Sequence, residues 1–65
     1  MPFINGKKES KYSGVSVHEY LAVQQFDERR IAVEYNGKIL PEKDYDKVIL
    51  KDGDQLEVVT FVGGG

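Results

Sequence analysis

At 65 residues the chain makes one small domain, and its balance of 40% hydrophobic to 31% charged residues suits a packed core and rules out full disorder. It has no cysteine and a single histidine, which excludes disulfide staples, a thiolate nucleophile and cysteine-ligated clusters, argues against zinc, and fits a cytoplasmic protein. A net charge of −2, no apolar leader near the start and no apolar run approaching about 18 residues leave no electrostatic motive for nucleic acid or anionic membrane, and no sign of export or membrane spanning.

Residues 1–4 are apolar and Asn5-Gly6 follows, the strongest two-residue hairpin signal, because a type I′ turn needs positive φ at both central positions. The stretch "MPFI-NG-KKESKYS" therefore reads as a first hairpin with a lysine-rich outer strand, a composition that discourages edge-to-edge aggregation. Ser16-Val17-His18-Glu19 fits the capping box S-x-x-E and predicts a helix start. Val17, Tyr20 and Leu21 share a helical face, and Gln24 interrupts it. The helix is expected to end near Gln25 or Phe26, followed by a charged loop, "DERR".

Ile31, Val33 and Tyr35 alternate in a β-rich run, Asn36-Gly37 gives a second hairpin turn, and Lys38-Ile39-Leu40 returns until Pro41 removes a donor. "EKDYDK" reads as an irregular or 3₁₀ turn anchored by Tyr45, and Val48-Ile49-Leu50 as a brief apolar piece. Asp52-Gly53-Asp54 is a turn, and residues 55–62 form the last strand. The order ββ, helix, ββ, link, β favours an α+β domain with one helix on one face of a mixed sheet. Its first and last strands are expected to pair in parallel at the centre.

The chain ends in Gly63, Gly64 and Gly65, for which chance gives odds of roughly 3 in 10,000 at average glycine usage. Glycine packs poorly and loses the most freedom when ordered. Either these residues are an idle tail or they are the working part. Residues 1–62 are expected to form the domain and residues 63–65 a flexible tail. In the last strand Leu56 and Val58 point towards the core, whereas Val59 and Phe61 point away beside Glu57. A single helix covers one face only, so Val59 and Phe61 are either exposed docking anchors or covered by neighbouring loops. His18 sits alone in the first helical turn, and Arg29 and Arg30 read as solvated loop residues before any partner contact is invoked.

The second half, "IAVEYNGKILPEKDYDKVILKDGDQLEVVTFVGGG", resembles the ThiS family of sulfur carriers, which have the ubiquitin-like β-grasp fold. The likeness runs through "VEYNGKILP", Tyr45, "LKDGDQLEVV" and the diglycine end, and the first half fits in layout. Gln24 departs from an apolar helix position, and Tyr45 stands where tryptophan is frequent. Related molybdopterin-synthase carriers approach the diglycine through a proline, which "TFVGGG" lacks, so the thiamine branch is favoured.

What the resemblance implies is a protein co-substrate rather than an enzyme. The Gly65 carboxylate would be adenylated at the expense of ATP by a ThiF-like enzyme and converted to a thiocarboxylate with sulfur from a donor such as a cysteine desulfurase. A ThiG-like thiazole synthase would then consume the sulfur. No cofactor is bound on this reading; the acyl-adenylate and thiocarboxylate are modifications of the chain. Gly63 and Gly64 would thread a partner's channel, three extended residues reaching about 10 Å, with Val59 and Phe61 docking beside them. A carrier for molybdopterin or another sulfurated product, a ubiquitin-like modifier and a plain interaction module remain alternatives.

Overall fold

Both Asn-Gly pairs turn as expected, with Asn5 and Gly6 at φ 51° and 82° and Asn36 and Gly37 at 52° and 85°, all in the left-handed region of a type I′ turn. In the computed structural model, which describes residues 1–61, the first turn joins strands β1 (Phe3–Ile4) and β2 (Lys7–Lys8). The second joins β3 (Ile31–Tyr35) and β4 (Lys38–Ile39). Strand β5 (Gln55–Thr60) lies between the two hairpins, giving the order β2-β1-β5-β3-β4. β5 runs parallel to β1 and antiparallel to β3. This mixed five-stranded sheet, crossed on one face by helix α1 (Val17–Val23), is the expected β-grasp, including the parallel pairing of first and last strands.

The helix begins as its capping residues require. Ser16 Oγ accepts from the Glu19 amide at 3.0 Å. The amides of Val17 and His18 donate to the carbonyls of Val48 and Tyr45, both at 2.9 Å, so the turn over residues 45–48 completes the helix start. Ser16 also bridges Ile49, which places the short apolar piece: Leu50 is fully buried and Ile49 faces outward.

At its other end the helix stops at Val23, two residues before the expected Gln25 and three before Phe26. Gln25 adopts φ 64°, its amide donates to Ala22 and the Phe26 amide reaches Leu21, both at 3.0 Å. This is a Schellman ending with glutamine in the position glycine normally takes. The interrupting Gln24 has its own use, donating from Nε2 to the Tyr12 hydroxyl at 2.6 Å.

The outer strand of the first hairpin is also shorter than the sequence suggests. β2 stops at Lys8, and residues Ser10–Tyr12 form a 3₁₀ turn. The reason is parity. Lys8 lies opposite Phe3 on the face away from the helix, so a strand continued to Tyr12 would have put that ring outside. The turn swings it inward, where it meets Tyr20 edge-to-face at 4.7 Å. "DERR" likewise tightens into a 3₁₀ turn over Glu28–Arg30 capped by Asp27. The "EKDYDK" turn forms over Glu42–Asp44 and buries Tyr45, as expected. The core joins Ile4, Tyr12, Val17, Tyr20, Leu21, Ile31, Val33, Tyr45, Leu50, Leu56 and Val58 between helix and sheet.

Candidate functional site

Gly63, Gly64 and Gly65, and Val62 before them, lie outside the described residues. What the structure gives is the platform from which they leave. That platform is the end of β5, and three devices hold it.

On one side β3 pairs with β5 from Leu56 to Thr60, and beyond the strand the Phe61 amide donates to the Arg30 carbonyl at 2.8 Å. On the other side Asn5 does more than turn a hairpin: its Oδ1 accepts from the Val58 amide at 2.9 Å, so a loop side chain supplies a rung of the sheet. At the start of the strand Asn36 Oδ1 accepts from the Gln55 amide at 2.8 Å.

Behind that start, Asp54 is the buried charged side chain among the described residues. Its carboxylate accepts from Tyr35 Oη at 2.7 Å, the Lys51 amide at 3.0 Å, Asn36 Nδ2 at 3.2 Å and Lys51 Nζ at 3.3 Å. Burial pushes this carboxyl up, but the donors outnumber that effect and hold it below the usual carboxylate range. A sequence reading of Asp52-Gly53-Asp54 as a turn catches the backbone role of Gly53, at φ 85°, and misses the anchor.

The sheet face opposite the helix is uncovered. Val59 is 58% exposed and Phe61 61%, so no neighbouring loop among the described residues covers either one. Register adds residues to this face. Val59 is paired with Ala32, Glu57 with Glu34, and Glu34 with Ile39, which is 67% exposed. The platform is thus an apolar arc of Val59, Phe61 and Ile39 around two glutamates placed directly opposite each other. Like charges in that position are disfavoured. Ile39 was readable in advance: a two-residue Asn-Gly turn fixes Tyr35 opposite Lys38 and therefore Ile39 opposite Glu34. The Glu34–Glu57 pairing was not, because it depends on how two segments distant in sequence meet.

The other polar side chains singled out by sequence lie elsewhere. His18 Nδ1 and Glu28 Oε2 are 2.8 Å apart on the rim of a cleft that Glu42, Lys43, Tyr45 and Asp46 complete. Asp27 takes both Arg29 Nε, at 3.3 Å, and Arg30 Nε, at 3.6 Å, so the arginines have an internal partner while staying largely exposed. The amide of Arg29 and its side chain, in that order, hold the Asp27 carboxyl low. Among the described residues no three His, Cys, Asp or Glu side chains are grouped to hold a metal ion. No described helix is long and apolar enough to cross a membrane.

A family model described as the ThiS family matches residues 3–65, the terminal glycines included. The sulfur carrier protein ThiS of Bacillus subtilis (strain 168) is 39% identical over 64 residues, covering 95% of this chain and 96% of that protein. A thiazole synthase of Paramagnetospirillum magneticum is 40% identical over 62 residues, which are 95% of this chain but 19% of that longer protein. A second thiazole synthase, from Magnetococcus marinus, shows 34% identity with the same 19% share. Among solved structures, the thiamine biosynthesis protein ThiS of Geobacter metallireducens superposes with a TM-score of 0.75 at 31% identity, over 98% of this chain and 97% of that one.

Proposed function

The chain belongs to the ThiS family, and from that premise we propose that it is the sulfur carrier of thiazole formation in thiamine biosynthesis, a protein co-substrate whose Gly65 carboxyl is loaded and unloaded by other enzymes. The observation that carries this reading is the family match running through the glycines to residue 65, on a chain of nearly the same length as the Bacillus subtilis carrier.

The chemistry follows from the group available. An α-carboxyl with an ordinary pKa of about 3.3–3.7 is ionised at neutral pH and is a poor electrophile. A ThiF-like enzyme would join it to AMP from ATP, releasing pyrophosphate. A hydrosulfide equivalent from a cysteine-desulfurase-type donor would then displace AMP and leave the thiocarboxylate. Glycine at positions 63–65 places no Cβ in a channel or across the carbonyl under attack. The thiazole synthase would take the sulfur; that two longer thiazole synthases contain a stretch similar to this chain supports the pairing.

Val59 and Phe61, with Ile39 beside them, are the apolar anchors of docking on this reading. The opposed Glu34 and Glu57 favour a partner that brings a basic side chain to the centre of the face, where it would relieve their repulsion.

Two measurements test the reading. Mass spectrometry of the protein from cells is expected to show a fraction about 16 Da heavier, oxygen exchanged for sulfur. Deletion is expected to create a requirement that thiamine or its thiazole precursor relieves. Growth without either would overturn the assignment, with loss of molybdenum-enzyme activity pointing to the molybdopterin branch and isopeptide-linked conjugates to a modifier.

A further inference from the structure

Strand β5 is central in the sheet, yet part of one side has no partner strand among the described residues. Residues Gln55, Phe61 and those of the same parity turn their backbone groups to β3, as the bonds Asn36 to Gln55 and Phe61 to Arg30 show. The alternate residues turn theirs to β1: the carbonyls of Asp54 and Leu56 accept there from Phe3 and Asn5, and the Val58 amide donates to Asn5 Oδ1. β1 is two residues long and the chain leaves the sheet at Asn5-Gly6. Beyond that point β1 has no residue in register with β5, so among the described residues the Val58 carbonyl and the Thr60 amide and carbonyl, turned by parity away from β3, face no paired strand.

The two outer edges of the sheet are defended in the usual way. β2 consists of Lys7 and Lys8, and β4 is two residues beginning with Lys38 and stopped by Pro41. The open stretch of β5 carries no lysine, no proline and no bulge, and Thr60 on it is exposed. In sequence it leads into the tail, Gly63 standing three residues past Thr60.

We infer that this bare edge is a strand-pairing site, and that its occupant is an extended backbone segment of the thiazole synthase that receives the tail. The Thr60 amide and carbonyl offer one closely spaced antiparallel rung, and the Val58 carbonyl one acceptor more. Main-chain pairing would fix the direction and register in which residues 63–65 enter the enzyme, independent of the side-chain contacts made by Val59 and Phe61. The inference rests on the sulfur-carrier reading.

Amide hydrogen exchange on the full chain, alone and saturated with thiazole synthase, tests it. In the free protein the Thr60 amide is expected to exchange fast while those of Val59 and Phe61 are slow; in the complex Thr60 is expected to slow at least tenfold. Thr60→Pro removes this one donor, which the fold itself does not use, and is expected to weaken binding to the synthase at least tenfold, whereas Thr60→Ala keeps the donor and stays within about twofold. If Thr60→Pro does not fold, the exchange measurement decides alone. A complex in which the glycine amides become protected and Thr60 does not overturns this inference and leaves the carrier reading standing. Absence of any complex removes both. Concentration-dependent protection of Thr60 in the free protein overturns it in favour of pairing between two copies of this chain.

Discussion

Truncating Phe61 to alanine separates docking from folding. The side chain is 61% exposed and outside the core cluster, so the free protein has little to lose. Full burial of a phenylalanine side chain is worth about 1.5–3 kcal/mol, and the exposed share that a partner can cover is about 1–2 kcal/mol on that scale. Phe61→Ala is therefore expected to raise the Kd for the proposed adenylating enzyme about 5- to 30-fold, each 1.4 kcal/mol being tenfold. Its Tm should stay within about 2 °C of the parent. Titration calorimetry gives the first quantity and a thermal melt followed by circular dichroism the second. An unchanged Kd with an unchanged Tm would refute the docking role. A fall in Tm of 5 °C or more would refute the reasoning at its root, since in a domain of this size that means about 1 kcal/mol of stability and a ring that serves the fold.

Asp54→Ala leaves Tyr35 Oη, Asn36 Nδ2 and the Lys51 amide without their acceptor, and is expected to cost about 2–3 kcal/mol in a urea melt. The same carboxyl has a folded pKa below its unfolded value of about 3.9, so its stabilisation is present in full above that value and is lost as pH falls through the folded pKa. Unfolding free energy measured from pH 6 to pH 2 should fall less steeply for Asp54→Asn than for the parent. Gln25→Gly relieves a left-handed residue at the helix end and is expected to stabilise by about 0.5–1 kcal/mol, with Gln25→Ala, which keeps the Cβ, gaining nothing in the same melt. Glu57→Lys turns a repulsive cross-strand pair with Glu34 into an attractive one; the free protein should gain up to about 1 kcal/mol while binding to the adenylating enzyme weakens.

The local signals were sufficient for much of this architecture. Two Asn-Gly turns, Ser16 with Glu19, and the alternation of Ile31, Val33, Leu56 and Val58 specify hairpins, a helix start and an inward face, because each depends on neighbours within a few residues. That Val59 and Phe61 point away from the helix followed from the same alternation, whereas their exposure was decided by the loops, none of which covers them among the described residues. What failed locally failed where a distant contact outweighed propensity. Tyr12 leaves a β-like stretch because Tyr20 and the helix give its ring a buried place. Gln24 looks like an error in the apolar stripe until Tyr12 is seen to need its amide, and the helix stops at Val23 because Phe26 joins the aromatic group around Tyr20. Tertiary structure alone sets Asp54 among its donors, opposes Glu34 to Glu57, and leaves the Thr60 amide without a partner among the described residues, since each depends on how segments 18 or more residues apart meet in one register. The sequence by itself determined the elements, their faces and the glycine end; pairing of β5 between two hairpins of unequal reach decided which surface surrounds the exit of that end, because backbone hydrogen bonds are satisfied only where a neighbouring strand extends.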